Sequence, residues 1–116
     1  MTPPSIEHYR FGQIVVDGQT YSSDLIIKPD GVFRDWWRAS GHLLVPEDLS
    51  EALRAEPETL VIGQGTFSGM RVPDETLEHL QGSGIEVIAQ PTGAACETYN
   101  RLRQQKRVVA VLHLTC

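Results

Sequence analysis

The sequence predicts an α/β fold with a mixed central sheet, an N-terminal β-meander followed by a parallel βαβαβ part. Three observations predict it. Turn dipeptides punctuate a β-branched first third, largely apolar runs recur at residues 59–62, 85–89 and 108–112, and segments of helical period separate those runs. Strands alternating with helices imply right-handed crossovers and a parallel core.

Taken in order, residues 10–16 form a strand that stops at Asp17-Gly18, a dipeptide suited to the positive φ of a two-residue hairpin turn. The return strand covers residues 21–28. Pro29-Asp30-Gly31 then makes a second turn, in which Pro presets φ and Gly takes the left-handed position, and residues 32–38 form a third strand. Pro46 opens a helix over residues 46–55, with Glu47 and Asp48 at its positive end and Leu49 and Leu53 on one face. Residues 59–62 are the first buried parallel strand. Pro73 starts the next helix, with Leu77 and Leu80 inward and Gly82 and Gly84 ending it before the strand at 85–89. Thr92 caps a third helix with Ala95, Tyr99 and Leu102 on one stripe, and residues 108–112 close the sheet.

With 116 residues, 41% of them hydrophobic and 22% charged, the chain has the size and composition of one domain with a layered core, and residues 1–116 are assigned to it. Fifteen acidic residues against ten basic give a formal charge of −5, which opposes a phosphate-neutralising surface, so no nucleic-acid partner is expected. The basic group Arg101, Arg103, Lys106 and Arg107 falls at the end of the third helix, where it complements the dipole. No apolar run reaches the roughly 18 residues of a membrane span. The start MTPPSIEHYRF has neither a signal-peptide nor a transit pattern, so the expectation is a cytoplasmic protein without membrane insertion. Cys96 and Cys116 are too few for a disulfide framework and are expected as reduced thiols.

In an open parallel sheet, ligands gather beyond the carboxyl ends of the strands. Those ends are Gly63-Gln64-Gly65-Thr66, Gln90-Pro91-Thr92 and His113-Leu114-Thr115-Cys116, three polar segments expected to share one rim. Gly63, Gly65, Thr66 and Thr92 are the ligand-binding candidates there, with loop amides and the Thr92 hydroxyl suited to a small anion. The loop resembles a dinucleotide fingerprint, but its third Gly comes one position late and the helix begins only near Pro73. No cofactor is expected.

The candidates for chemistry are His113, Cys116 and Cys96. Imidazole can take a thiol proton, but residues three apart on a strand face opposite ways, so His113 and Cys116 pair only if the chain bends at Leu114 or Thr115. The alternative for His113 is a hydrogen-bonded structural role. Cys96 lies in the first turns of a helix, where its pKa can fall, or it is helix packing. His42, Cys96, His113 and Cys116 lack the paired spacing of a zinc site, so no metal is expected, and Ser68 sits in no nucleophile elbow. Trp36 and Trp37, beside Phe33 and Arg34, form an aromatic and cationic cluster. By strand alternation one Trp faces outward as a partner surface, unless the following loop and helix cover both sides.

Tyr9-Arg10-Phe11-Gly12, Asp17-Gly18 with Tyr21 and Asp24, Pro29-Asp30-Gly31, Trp37-Arg38 with Gly41-His42, and Val61-Ile62-Gly63-Gln64-Gly65 together resemble one known family. The ending adds Thr92, Ala95, Tyr99-Asn100, Leu102 and the run from Arg107 to Cys116. The chain is similar over residues 6–116 to the adipogenesis-associated Mth-type, or Mth938-like, domain proteins, a family that includes the mitochondrial complex I assembly factor 3 group. The resemblance implies a compact three-layer α/β fold, no established reaction, and assembly factors among the mitochondrial members. It also implies a candidate rim at Gly63, Gly65, Thr92, His113 and Cys116 without supplying a substrate. The expected function is a binding or assembly module with a protein partner. The alternative is a small-molecule enzyme or ligand binder using the Cys/His pair at the rim.

Overall fold

Apolar side chains on alternate residues of β4 (Leu25–Lys28), β6 (Thr59–Gln64) and β8 (Val108–His113) point to opposite faces of one sheet, and both faces are buried. Leu25, Ile27, Val61, Ala110 and Leu112 join one core, and Ile26, Leu60, Ile62, Val109 and Val111 join the other. Each of the Val, Leu and Ile side chains, fully buried, contributes about 1.5–3 kcal/mol relative to exposure. A computed structural model describes residues 2–116 of the chain.

The five-stranded sheet has the order β5-β4-β8-β6-β7, where β5 is Gly31–Phe33 and β7 is Glu86–Gln90. β6 lies parallel to β7 and β8, whereas β4 runs antiparallel to β8 and β5, so the sheet is mixed. A second, three-stranded antiparallel sheet, β1 (Ile6–Arg10), β2 (Gln13–Val16) and β3 (Gln19–Tyr21), packs with α3 (Thr92–Leu102) over one face. The opposite face is covered by a 3-10 turn (Pro46–Leu49), α1 (Ser50–Leu53), α2 (Asp74–Gly82) and Trp36. The three-layer α/β architecture with its N-terminal meander and parallel βαβαβ part is therefore present.

Several boundaries differ from expectation. The strand expected at 10–16 is instead the end of β1, a turn at Phe11-Gly12, where Gly12 has φ +79°, and β2, which pairs back on β1. The strand expected at 21–28 divides at Ser22–Asp24 between the two sheets, since β3 pairs with β2 and β4 with β8. The third strand ends at Phe33, and Asp35 at φ +58° breaks the alternation before the tryptophans. Aspartate is among the few side chains that take this left-handed conformation at modest cost. The helix expected at 46–55 begins as the 3-10 turn. Thr92 does not cap α3, because its hydroxyl is used across the sheet.

Candidate functional site

The strand register brings the expected rim together, with Gly63 beside Leu112 and Gln64 beside His113. The chain's own residues 114–116 then lie across it. Thr66 N donates to the Thr115 carbonyl at 2.6 Å, Gly69 N to the Cys116 carbonyl at 2.7 Å, and Gly65 N to Thr92 Oγ1 at 2.8 Å. Thr92 Oγ1 in turn donates to the His113 carbonyl at 2.6 Å. A Cβ at Gly65, whose φ is +100°, would overlap the Cys116 carbonyl, and one at Gly63 would come within 2.8 Å of Leu112 and 2.9 Å of Thr92 Oγ1. These glycines are needed for close approach of the closing segment. The amides of Gly65, Thr66 and Gly69 that could cradle an anion are all engaged within the chain.

Below this crossing lies a charged cluster that the sequence reading did not assemble: Asp24, Arg38 and His113. Asp24 Oδ2 accepts from Arg38 Nη1 and from His113 Nδ1, each at 2.8 Å, while Oδ1 accepts from Leu114 N at 2.8 Å. Burial opposes ionisation of Asp24, but the hydrogen bonds from His113, the Leu114 amide and Arg38 outweigh it and hold the carboxyl below its usual range. With that carboxylate charged, the His113 proton belongs on Nδ1. Arg38 Nη2, which is 3.1 Å from Nδ1 and can only donate, therefore gives its hydrogen to the Gly41 carbonyl at 3.2 Å. Arg38 Nε has no hydrogen-bond partner among the described residues, and the guanidinium lies 4.8 Å from the Trp36 ring centroid. Asp24 and Arg38 each flank an apolar or aromatic run, and both stand among the motifs that carry the family resemblance, but neither signal joins them to His113.

The orienting carboxylate on Nδ1 is the arrangement that serves a general base, yet His113 is buried, and its Nε2 faces Thr115 Oγ1 at 3.5 Å. Among the described residues no hydrogen bond joins Cys116 to His113. Cys116 is exposed, whereas Cys96 is buried on α3 against the three-stranded sheet. Burial, with Glu97 adding to it, pushes the Cys96 thiol up to about 12, the reverse of activation by a helix N-terminus. The structure thus keeps the three candidates for chemistry in three environments. Among the described residues, no group of three or more His, Cys, Asp or Glu side chains is placed to hold a metal. No helix among them is long and apolar enough to cross a membrane.

The same cluster fixes the tryptophan turn. Trp36 N donates to the Asp24 carbonyl at 2.9 Å and Trp36 Nε1 to the Asp48 carbonyl at 2.9 Å, so this ring is buried. Trp37 is 79% exposed. One Trp does face outward, but through the Asp35 turn rather than strand alternation, and the covered alternative fails at Trp37. A groove of about 490 Å³ runs between the tryptophans, Phe33 and the segment from Glu47 to Glu51. A second exposed aromatic pair, Phe11 and Phe67, sits with ring centroids 6.5 Å apart at turns of the β1–β2 hairpin and the β6–α2 loop. Sequence reasoning passed over that pair, because residues so far apart on the chain give no local sign of meeting.

A family described as a protein of unknown function (DUF498/DUF598) matches residues 6–113. NADH dehydrogenase [ubiquinone] 1 alpha subcomplex assembly factor 3 of Danio rerio is 34% identical over 98 residues, with 82% of this chain and 55% of that protein covered. The chain therefore spans about half the length of that relative. Among solved structures, the conserved hypothetical protein PH1505 from Pyrococcus horikoshii OT3 superposes with a TM-score of 0.84 at 30% identity, covering 97% of this chain and 99% of the other. A Mth938-like domain from Bordetella pertussis shares the fold, with a TM-score of 0.66 at 23% identity over 96% of this chain and 85% of that one.

Proposed function

This chain belongs to the DUF498/DUF598 family of Mth938-like domains, and on that premise we propose that it is a binding module for assembling other proteins, with the Trp37 face as its partner surface. The observation that carries the reading is Trp37 itself, 79% exposed beside a buried twin. A large, rigid aromatic side chain held out from a braced turn gives apolar contact area at little entropic cost on binding, and tryptophan is the residue type most enriched among interface hot spots. The zebrafish relative, an assembly factor by name, supports the same class of role.

The rival, a small-molecule enzyme using a Cys/His pair at the rim, has less behind it. His113 is buried with its Nε2 facing Thr115 Oγ1, the amides of Gly65, Thr66 and Gly69 are engaged by Thr92, Thr115 and Cys116, and Cys116 makes no hydrogen bond to the imidazole among the described residues.

The test is affinity capture from the native host with the unmodified chain, Trp37→Ala and, as a comparison, Phe67→Ala. A partner recovered with the unmodified chain and Phe67→Ala but lost with Trp37→Ala supports the reading. Equal recovery with Trp37→Ala removes the Trp37 face, and repeated recovery of nothing removes the assembly role.

A further inference from the structure

We propose that the groove beside Trp37 receives a basic side chain of the partner protein, an arginine or lysine flanked by apolar residues; this rests on the reading of the Trp37 face as a partner surface. Four carboxylates, Asp35, Glu47, Asp48 and Glu51, line the groove, and none of its lining residues is basic. Two of the four are committed within the chain. Asp48 Oδ2 accepts from Val45 N at 3.1 Å, and Glu51 Oε2 pairs with Lys28 Nζ at 2.8 Å. The other two face solvent. Asp35 meets only the exposed Arg34, at 3.7 Å, and Glu47 forms no ion pair among the described residues.

The aromatic walls point the same way. Lys28 Nζ lies 5.8 Å from the Phe33 ring centroid, and the Arg38 guanidinium 4.8 Å from that of Trp36, so two of the three aromatic rings at the groove already carry a cation. Trp37 has none among the described residues. An indole face with two open carboxylates nearby attracts a guanidinium or ammonium through the ring quadrupole and through charge, while the apolar rings take the flanking side chains. The formal charge of −5 favours approach of a basic partner from a distance as well.

The experiment is an NMR titration of the isotope-labelled full chain with two capped pentapeptides, one with arginine between leucines and one with the neutral isostere citrulline in its place. The arginine peptide is expected to shift the Trp37 indole resonance and to bind about two- to tenfold more tightly than the citrulline peptide, the scale of an exposed charge pair with a cation–π contact. Asp35→Asn with Glu47→Gln is expected to weaken that preference to what the indole face alone supplies, and added salt to reduce it. Asparagine tolerates the left-handed backbone at position 35, so this variant keeps the turn. Equal affinity for both peptides, shifts confined to another face, or no shift at millimolar peptide overturns the proposal. Capture separates the two readings: loss of the partner with Trp37→Ala but full retention with the double charge variant leaves the partner surface standing and sinks the basic occupant. Concentration-dependent dimerisation abolished by Glu47→Gln would instead identify a second copy of this chain as the occupant, and would also overturn it.

Discussion

Asp24 and His113 stand 89 positions apart and share a 2.8 Å hydrogen bond that ties the start of β4 to the end of β8. The same aspartate accepts from Trp36 N, Arg38 and Leu114 N, so one side chain and its carbonyl brace both the tryptophan turn and the closing segment. Removing it leaves Arg38 buried without its carboxylate. Asp24→Ala is expected to cost about 3–5 kcal/mol in urea unfolding, the scale of a broken buried pair. A loss near zero would show that the cluster does not brace the fold.

The pH dependence follows from the same group. The folded carboxyl titrates below its unfolded value, so on acidification the unfolded state binds a proton first, and stability rises with pH across that window. The Asp24 contribution is fully present above an unfolded pKa of about 4 and disappears as pH falls through the lower folded value. In urea melts from pH 7 to pH 2, the gap between the unmodified chain and Asp24→Asn is expected to hold steady above about pH 5 and to narrow below about pH 4. A gap that widens in acid would contradict the assigned sign.

Gly65 combines a left-handed backbone with contact against the Cys116 carbonyl. Gly65→Ala is expected to cost about 2–4 kcal/mol, from backbone strain and overpacking together. Gly93, helical with open space at its Cβ position, is the control. Gly93→Ala is expected to be neutral or stabilising by up to about 1 kcal/mol, and thermal melts of the pair check both.

The two thiols should differ sharply in reactivity. At pH 8 a disulfide reagent is expected to titrate Cys116 rapidly and Cys96 only on unfolding, because burial keeps Cys96 protonated with a pKa of about 12. Two fast equivalents in the native state would place Cys96 at the surface.

The adjacent tryptophans should part in the same way. Trp36→Ala is expected to lose about 3–5 kcal/mol by emptying a core position, and Trp37→Ala less than about 0.5 kcal/mol. Iodide quenching of the single-tryptophan variants Trp36→Phe and Trp37→Phe should find Trp37 accessible and Trp36 shielded. Comparable quenching of both would remove the distinction on which the partner surface stands.

Much of this architecture was legible because its signals are local. The apolar runs of β6 and β8, the stripe Ala95, Tyr99 and Leu102 on α3, and the Asp17-Gly18 turn each announce themselves within a few residues, and the α/β class follows from their alternation. The family was legible too, from ordered motifs spread along the chain. The convergence of the Gly63 loop, Thr92 and His113 at one edge followed from the rule that parallel strands end together.

Tertiary structure alone decided which groups meet there and what they do. No local pattern shows that the stretch from Gln19 to Lys28 serves two sheets, since the choice depends on whether β2 or β8 lies alongside. Nor does any short window link Asp24 to Arg38 and His113, or place residues 114–116 over Gly65. Periodicity encodes which face of an element is apolar, but partners separated by tens of residues are chosen by packing in three dimensions. The His113–Cys116 segment therefore looked like chemistry in sequence, and in the fold it is a strap over the sheet edge, held by Asp24 on one side and Thr66 and Gly69 on the other.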